Sequence, residues 1–157
     1  MKIFNNSKDN RLNLVAPVSG EYVDITTVDD PVFSTKLMGD GFAIIPCEDT
    51  IVAPCDGEIV MLFNTKHAFG IKSKEGVEIL VHIGINTVES NGEGFKALSY
   101  QNAKVKKGMP IIKFDKDKLS KYDLVTMVII TALNGKTQYK ECEYGNVQKG
   151  DLILSLK

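Results

Sequence analysis

The nine residues VAPVSGEYV at positions 15–23 return as VAPCDGEIV at positions 52–60, with the pattern A-P-x-x-G-E kept. A second phrase, VKKGMPI at positions 105–111, returns as VQKGDLI at positions 147–153. Proline suits a strand edge because its φ is preset and it lacks an N–H, and glycine provides the open backbone that a corner needs. Two turn motifs that each occur twice predict a β-structure built by duplication.

Short β-type runs separated by glycine-containing turns fill the rest of the chain. The predicted strands are residues 12–15, 21–26, 42–45, 58–63, 77–83, 110–114, 124–131 and 152–156. Such spacing is typical of an all-β sandwich or barrel, and the repeated motifs resemble those of the barrel-sandwich hybrid in biotinyl and lipoyl carrier domains. We predict an all-β fold, an antiparallel β-sandwich of this duplicated hybrid type. It has at most short helical turns, one of them within Asp115–Tyr122.

Length, charge and cysteine content limit the classes of function. The length predicts a single domain, residues 1–157, with a core at about residues 12–156 and a short N-terminal tail, residues 1–11. The 19 basic and 20 acidic side chains give a net charge of -1, which argues against nucleic-acid binding and a polybasic membrane anchor. No apolar run approaches the ~18–20 residues of a membrane span. Three cysteines without C-x-x-C spacing are typical of idle thiols in a reducing compartment, so we expect a cytoplasmic protein.

The chain has two histidines, and both lie in one predicted hairpin, TKHAFGIKSKEGVEILVHIG at residues 65–84. A tight turn centred within Ser73–Gly76 would place His67 directly opposite His82, with Cβ atoms roughly 4.5–5.5 Å apart. A three-residue loop with a glycine bulge would instead shift the pairing by one residue. The alternation of Val77, Ile79, Val81 and Ile83 predicts their face to be the core face. His82 would therefore point outward beside Leu80, towards a partner surface.

An outward pair of imidazoles suggests group transfer. Neutral imidazole, with an ordinary pKa of about 6.5, is a good nucleophile and can carry a phosphoryl group as a phosphoramidate. We expect no required cofactor: zinc would bind at His67 and His82 only with a ligand supplied by a partner, because zinc takes three or four protein ligands. A zinc hydrolase is a weaker alternative, since related zinc peptidases carry a His-x-His and Leu80 stands two positions before His82.

Over nearly its whole length the chain resembles the glucose-type IIA component of the bacterial phosphoenolpyruvate-dependent sugar phosphotransferase system. The motifs that carry the resemblance are GDGFAI (39–44), APCDG (53–57), NTKHAF (64–69), GVEILVHIGI (76–85), TV (87–88) and GEGF (92–95). The resemblance implies an antiparallel β-sandwich and a phosphotransferase component. In that family the phosphocarrier protein HPr donates a phosphoryl group to the histidine that aligns with His82. The group then passes to a cysteine of a IIB domain, and finally to sugar entering through the membrane IIC component.

The resemblance also implies roles for neighbouring residues. His67 would assist transfer by hydrogen bonding, and Thr65 would orient His67. An apolar docking patch would comprise Val32, Phe33, Leu37, Phe63, Leu80 and Val88, and Asp30 matches an acidic position that meets an arginine of the partner. Asn86 departs from the family pattern H-x-G-[IL]-D-T-V, which has Asp there. Because Asn lacks the charge and the bidentate acceptor of a carboxylate, we expect weaker docking of HPr or adaptation to a variant HPr.

A second function remains open at this point. Members of this family also act as phosphorylation-switched regulatory modules that bind transporters or kinases through the same apolar patch, and a phosphoryl charge would disrupt such docking. The sequence does not fix the sugar, the IIB partner, the oligomeric state, or whether the chain is free-standing or a domain of a longer protein. No direct membrane insertion is expected.

Overall fold

The computed structural model describes residues 11–157, and this part of the chain contains fourteen strands and very little helix. The strands are β1 (Leu12–Val15), β2 (Gly20–Val23), β3 (Gly41–Pro46), β4 (Thr50–Val52), β5 (Gly57–Leu62), β6 (Ala68–Lys72), β7 (Glu78–Ile83), β8 (Phe95–Ala97), β9 (Lys104–Val105), β10 (Pro110–Phe114), β11 (Thr126–Ala132), β12 (Gln138–Lys140), β13 (Gly145–Val147) and β14 (Leu152–Leu156). A one-turn helix, α1 (Pro31–Ser34), and two 3-10 turns, Ile25–Thr27 and Thr87–Ser90, complete the elements.

The strands form one large sheet and two small ones, and every pairing is antiparallel. The large sheet has the order β13-β2-β3-β11-β7-β6-β5-β9, and the small sheets are β1-β14-β12 and β4-β10-β8. The main core joins side chains from all three sheets, for example Leu14, Phe69 and Ile112, each fully buried. The prediction of an all-β antiparallel sandwich is confirmed.

The first repeated motif forms a reciprocal contact with its own copy. The N–H of Val15 donates to the carbonyl of Pro54 at 3.0 Å, and the N–H of Val52 donates to the carbonyl of Pro17 at 2.9 Å. These two hydrogen bonds occupy the same places in the two copies of A-P-x-x-G-E. The copies therefore meet in an approximately two-fold manner, as a duplicated fold requires.

The second repeated motif follows the same rule. The N–H of Gly108 donates to the carbonyl of Ala53, and the N–H of Gly150 donates to the carbonyl of Ala16, both at 2.9 Å. Each V-x-K-G turn is thus bonded to one copy of the first motif. The repeats thus bond the ends of the strands to one another, which is the architectural role predicted for them.

The short helix predicted within Asp115–Tyr122 is wrong, because residues 116–122 form a run of turns. The Asp115 carboxylate accepts from the N–H groups of Asp117 and Lys118 at 3.0 and 3.2 Å. Side chains that bond the nearby backbone favour turns over helix interiors. The helix that does form is α1, where Asp30 is the N-cap and Pro31 occupies the first turn.

A second apolar cluster lies on the opposite face of the large sheet. Ala43, Val125, Met127 and Ile129 alternate along β3 and the β11 region with residues of the main core, and they contact side chains from residues 25–33, including Phe33. The segment around α1 therefore covers part of the face from which His82 projects. This cover buries apolar side chains on the sheet face beside His82.

The sequence also led us to expect a short N-terminal tail and no membrane span. The predicted N-terminal tail, residues 1–11, lies outside the described residues except for Arg11. Within the described part, no helix has the length and apolar character needed to cross a bilayer.

Candidate phosphoryl-transfer site

The register of the histidine hairpin differs by one residue from the predicted pairing. Across β6 and β7, Ala68 pairs with His82, so the expectation that His67 sits directly opposite His82 is wrong. The cause is a three-residue loop between Ser73 and Val77, in which the N–H of Gly76 donates to the carbonyl of Ser73 at 3.0 Å. Gly76 has φ +83, the left-handed conformation of the glycine-bulge alternative.

The two imidazoles nevertheless meet. The N–H of Ile83 donates to the carbonyl of His67 at 2.8 Å, and a continued strand would therefore place the His67 side chain on the core face with Ile83. His67 precedes β6, directly after Lys66, whose φ is +58, so the strand alternation does not extend to it. The rings of His67 and His82 lie with centroids 4.9 Å apart and planes nearly perpendicular, at 83°.

The His82 ring is held in one tautomer by the backbone. Its Nδ1 lies 2.9 Å from the carbonyl oxygen of Gly84. A carbonyl oxygen only accepts hydrogen bonds, so we assign the hydrogen to Nδ1, which leaves the lone pair on Nε2. Burial, with a contribution from His67, lowers the pKa of His82 to about 4, although the Gly84 carbonyl and Asp30 act in the raising direction. The ring is therefore neutral at neutral pH.

His67 has its own hydrogen-bond partner. It is 4% exposed, its Nδ1 lies 2.6 Å from the hydroxyl oxygen of Thr65, and burial lowers its pKa. The Phe63 ring meets the His67 ring edge-on at 5.3 Å between centroids. The structure thus places Thr65 against His67, and the orienting role that the resemblance implies for Thr65 stays a prediction.

The predicted docking patch divides into exposed and buried members. Leu37 is 77% exposed, and Val32, Phe63 and Val88 are also exposed, while Leu80 is partly buried against the second apolar cluster. Phe33 is only 4% exposed, and its ring lies 4.9 Å from the His82 ring between centroids. Phe33 therefore exposes little surface to a partner in this structure, and its place in the docking patch stays a prediction.

Asp30 and Asn86 are the two polar residues predicted beside the docking patch, and each stands immediately before a short helical turn. The Asp30 carboxylate accepts from the N–H of Val32 at 3.0 Å as the cap of α1. Asn86 is exposed, precedes the 3-10 turn Thr87–Ser90, and has φ +59 without a capping bond from its side chain. Asn is among the few residues that adopt this left-handed conformation readily. The substitution thus suits the backbone, a reason that the charge argument from sequence did not include.

With this geometry in hand, residues 12–137 match the family model described as phosphoenolpyruvate-dependent sugar phosphotransferase system, EIIA 1. The chain belongs to this EIIA family. It is 47% identical over 127 residues to the glucose-specific EIIA component of Bacillus cereus, covering 80% of this chain and 77% of that protein. It is 41% identical over 147 residues to the glucose-specific EIIA component of Borreliella burgdorferi, covering 92% of this chain and 77% of that protein.

A solved structure and a longer relative extend the comparison. The IIA of the Mycoplasma capricolum glucose permease superposes with a TM-score of 0.89 at 38% identity, covering 100% of both chains. The glucose-specific EIICBA component of Staphylococcus carnosus is 43% identical over 144 residues, covering 90% of this chain and 21% of that protein. This EIIA chain thus spans about a fifth of the length of that relative. The resemblance inferred from sequence is confirmed.

The sequence analysis did not name Gly84 as a site residue, and it placed Phe33 in the docking patch rather than against His82. In the structure the Gly84 carbonyl contacts Nδ1 of His82, and the Phe33 ring lies 4.9 Å from the His82 ring between centroids, tilted by 55°. The signal for Gly84 was a glycine two positions after the outward histidine, since φ +81 at this position favours glycine. Among residues 11–157, no group of three or more His, Cys, Asp or Glu side chains is arranged to hold a metal ion.

Proposed function

We propose that this EIIA chain is a phosphoryl-transfer intermediate, which accepts a phosphoryl group from phospho-HPr on Nε2 of His82 and passes it to the cysteine of a IIB domain. The observation that carries the proposal is the contact of His82 Nδ1 with the Gly84 carbonyl, which leaves the lone pair on Nε2. Because burial keeps the ring neutral, this lone pair is available near pH 7.

The chemistry consists of two in-line displacements. In the first, Nε2 forms a bond to phosphorus as the bond from phosphorus to the donor atom of HPr breaks. In the second, the thiolate of the IIB cysteine attacks the same phosphorus, and the electron pair of the P–N bond returns to Nε2. The protein mainly positions the groups and stabilises charge on the phosphoryl oxygens, which is where such transfers gain their rate.

In our proposal His67 supplies that stabilisation chiefly in the second displacement, when the phosphoryl group starts on His82 beside it. Nδ1 of His67 lies 2.6 Å from the Thr65 hydroxyl oxygen, and we assign the hydroxyl as the donor, which places the hydrogen of the neutral ring on Nε2. The two rings are 4.9 Å apart between centroids, close enough for this N–H to reach an oxygen of a phosphoryl group on His82. A bound phosphoryl dianion also favours protonated His67, which strengthens the same hydrogen bond.

The proposed partners dock on the apolar surface of the flanking segments. Leu37 and Val88 remain exposed although large and apolar, and the carboxylate of Asp30 lies close enough to influence the pKa of His82. Apolar residues with an acidic rim suit a partner that presents apolar side chains and a cation. We assign this surface to HPr and to IIB in turn, since both must reach the same nitrogen. No cofactor is required in this scheme, and zinc would need a further ligand from a partner.

The three cysteines, Cys47, Cys55 and Cys142, are unpaired, and Cys55 is buried. Free thiols of this kind fit a reducing compartment. We therefore propose a cytoplasmic location, where phosphoenolpyruvate and the phosphocarrier are available.

Labelling with phosphoenolpyruvate, enzyme I and HPr tests the proposal. The wild-type chain is expected to gain one acid-labile, base-stable phosphoryl group, and His82→Ala to gain none. His67→Ala serves as the matched control, because it removes the neighbouring imidazole but leaves the acceptor nitrogen. Labelling that persists in His82→Ala would refute the assignment.

A regulatory binding role is a second candidate, and the aromatic surroundings of the histidines favour it. Phe33 and Phe63 contact the two imidazoles, so a phosphoryl charge of about -1.5 to -2 would arise within an apolar surface and weaken apolar docking there. Affinity capture of candidate transporters and kinases with the phosphorylated and unphosphorylated chain tests this role. Capture by the unphosphorylated form alone supports it, and equal capture by both forms contradicts it.

A further inference from the structure

The segment that follows β7 contains a fully buried hydroxyl. Thr87 is 0% exposed, and it begins the 3-10 turn Thr87–Ser90 directly after the left-handed residue Asn86. Its hydroxyl donates to the carbonyl of Ile83, four residues earlier. This hydrogen bond closes the short excursion from Ile83 to Thr87 into a compact loop, and Gly84 lies inside that loop.

Gly84 is enclosed from both sides. A Cβ at this position would lie 2.5 Å from Cγ2 of Thr87 and 2.9 Å from the carbonyl oxygen of Asp123. The N–H of Gly84 donates to the carbonyl of Val125 at 2.8 Å, on the side towards β11. The carbonyl of Gly84 belongs to the next peptide, and the N–H of that peptide, on Ile85, donates to the carbonyl of Asp123 at 2.8 Å. The backbone of residues 123–125 therefore holds Gly84 on one side, and the methyl group of Thr87 closes the other side.

The direction of the Gly84 carbonyl decides which nitrogen of His82 carries the hydrogen. That carbonyl accepts from Nδ1 of His82 at 2.9 Å. If the loop relaxed, the Gly84 carbonyl would turn away from Nδ1. The hydrogen bond that favours the tautomer with its lone pair on Nε2 would then be lost. Orientation errors of this kind are costly in a reaction that depends on alignment.

We propose that Thr87 is a positioning residue for phosphoryl transfer: its buried hydroxyl and methyl group hold the Gly84 carbonyl on Nδ1 of His82 and thereby present Nε2 to phosphorus. The inference rests on the proposed function of His82. Thr87 does not touch the reacting atoms. It acts through Ile83 and Gly84 on the imidazole.

Two variants separate the two parts of the Thr87 side chain. Thr87→Val keeps its shape and removes the hydroxyl, and Thr87→Ser keeps the hydroxyl and removes the methyl group. Thr126→Val is the matched control, because Thr126 is also 0% exposed. Its hydroxyl makes no hydrogen bond to the loop from Ile83 to Thr87 and donates instead to the carbonyl of Leu124 at 3.1 Å. Circular dichroism and thermal melts establish that each variant is folded at the assay temperature.

The first readout is the tautomer of His82, measured on the unphosphorylated chain by nitrogen-15 NMR of the imidazoles. We expect wild type, Thr87→Ser and Thr126→Val to show His82 with its hydrogen on Nδ1. We expect Thr87→Val to show a mixture of tautomers at His82, with the His67 signals unchanged. This measurement needs no phosphoryl donor, so it separates failure of the positioning role from failure of the proposed function.

The second readout is the rate of phosphorylation by phospho-HPr. We expect Thr87→Val to lower kcat about tenfold, as a misaligned nucleophile does, with the KM for phospho-HPr unchanged because the docking surface is untouched. We expect Thr87→Ser to restore most of the rate. The proposal is overturned if the folded Thr87→Val chain keeps the Nδ1–H tautomer of His82, or if Thr126→Val disturbs that tautomer to the same extent.

Discussion

Nδ1 of His82 lies 2.9 Å from the carbonyl oxygen of Gly84, two residues further along the same chain. This contact favours protonation of the ring, and two other effects oppose it. Burial and the neighbouring His67 lower the pKa of His82, while the Gly84 carbonyl and Asp30 raise it, and the net value is about 4. The outcome is a neutral ring with a defined tautomer, which is what a nitrogen nucleophile needs.

The first prediction concerns the pH dependence of phosphorylation. Because the pKa of His82 is about 4, the acceptor nitrogen stays unprotonated above roughly pH 5. The single-turnover rate with phospho-HPr is expected to be flat from pH 8 to below pH 6, after correction for the titration of the donor. A rate that halves near pH 6.5 would show an ordinary imidazole and contradict the buried neutral ring.

The second prediction concerns stability over the same titration. His82 has a pKa of about 4 when folded and an ordinary value of 6.5 when unfolded, so the unfolded chain binds more protons between these values. Stability therefore falls as the pH is lowered from 6.5 to 4, by about 3 kcal/mol from this residue. Urea unfolding at several pH values measures the loss. His82→Gln is expected to show a loss smaller by that amount, and identical pH profiles for the two chains would contradict the pKa.

The third prediction separates the two histidines by step. His67→Ala is expected to accept a phosphoryl group at His82, since the nucleophile is intact, but to donate it to IIB at least about tenfold more slowly. Thr65→Val removes the hydroxyl that faces Nδ1 of His67 and is expected to show a weaker form of the same defect. Rapid-quench measurement of the two half-reactions tests this. Equal slowing of both half-reactions would contradict separate roles.

The fourth prediction contrasts a buried and an exposed apolar residue. Phe33 is 4% exposed, and Phe33→Ala is expected to cost about 3 kcal/mol of unfolding free energy. The same change opens the His82 ring to water and raises its pKa towards 6.5. Leu37 is 77% exposed, so Leu37→Ala is expected to change stability by less than about 0.5 kcal/mol while raising the KM for phospho-HPr. If Leu37→Ala is destabilised and its KM for phospho-HPr is unchanged, Leu37 does not belong to the docking surface.

The fifth prediction concerns the departure from the family pattern at Asn86. Asn86→Asp keeps a residue that tolerates φ +59 and adds a negative charge at an exposed position. It is expected to lower the KM for phospho-HPr at low salt, with the difference reduced at high salt. Asn86→Gly, which keeps the backbone conformation without the charge, is the control. Unchanged kinetics in Asn86→Asp would show that this position does not contribute to docking.

The sequence predicted the sandwich because repeats and alternation are local patterns. The two A-P-x-x-G-E copies do bond to each other, and the face of β7 that carries Leu80 and His82 is opposite the core face, as predicted. The pairing of His67 with His82 failed because it depended on the conformation of one turn residue, Gly76. The residue types in a turn do not determine the strand register to within one residue, because that register depends on the turn geometry.

Three features of the site depend on contacts that are distant in sequence or on a single backbone angle. Phe33 reaches His82 from a segment about fifty residues earlier, which no local pattern indicates. The role of Gly84 depends on the direction of one carbonyl, and Asn86 depends on a left-handed φ. The resemblance suggested a docking role for Asn86. Its left-handed φ, which Asp also tolerates, gives a reason for Asn or Asp at this position that is independent of any partner.

The most direct test of the central claim is phosphorus-31 and nitrogen-15 NMR of the chain phosphorylated by phosphoenolpyruvate, enzyme I and HPr. The account predicts one phosphoryl group, on Nε2 of His82, with the hydrogen retained on Nδ1. A phosphoryl group on Nδ1 of His82, or on either nitrogen of His67, would contradict it.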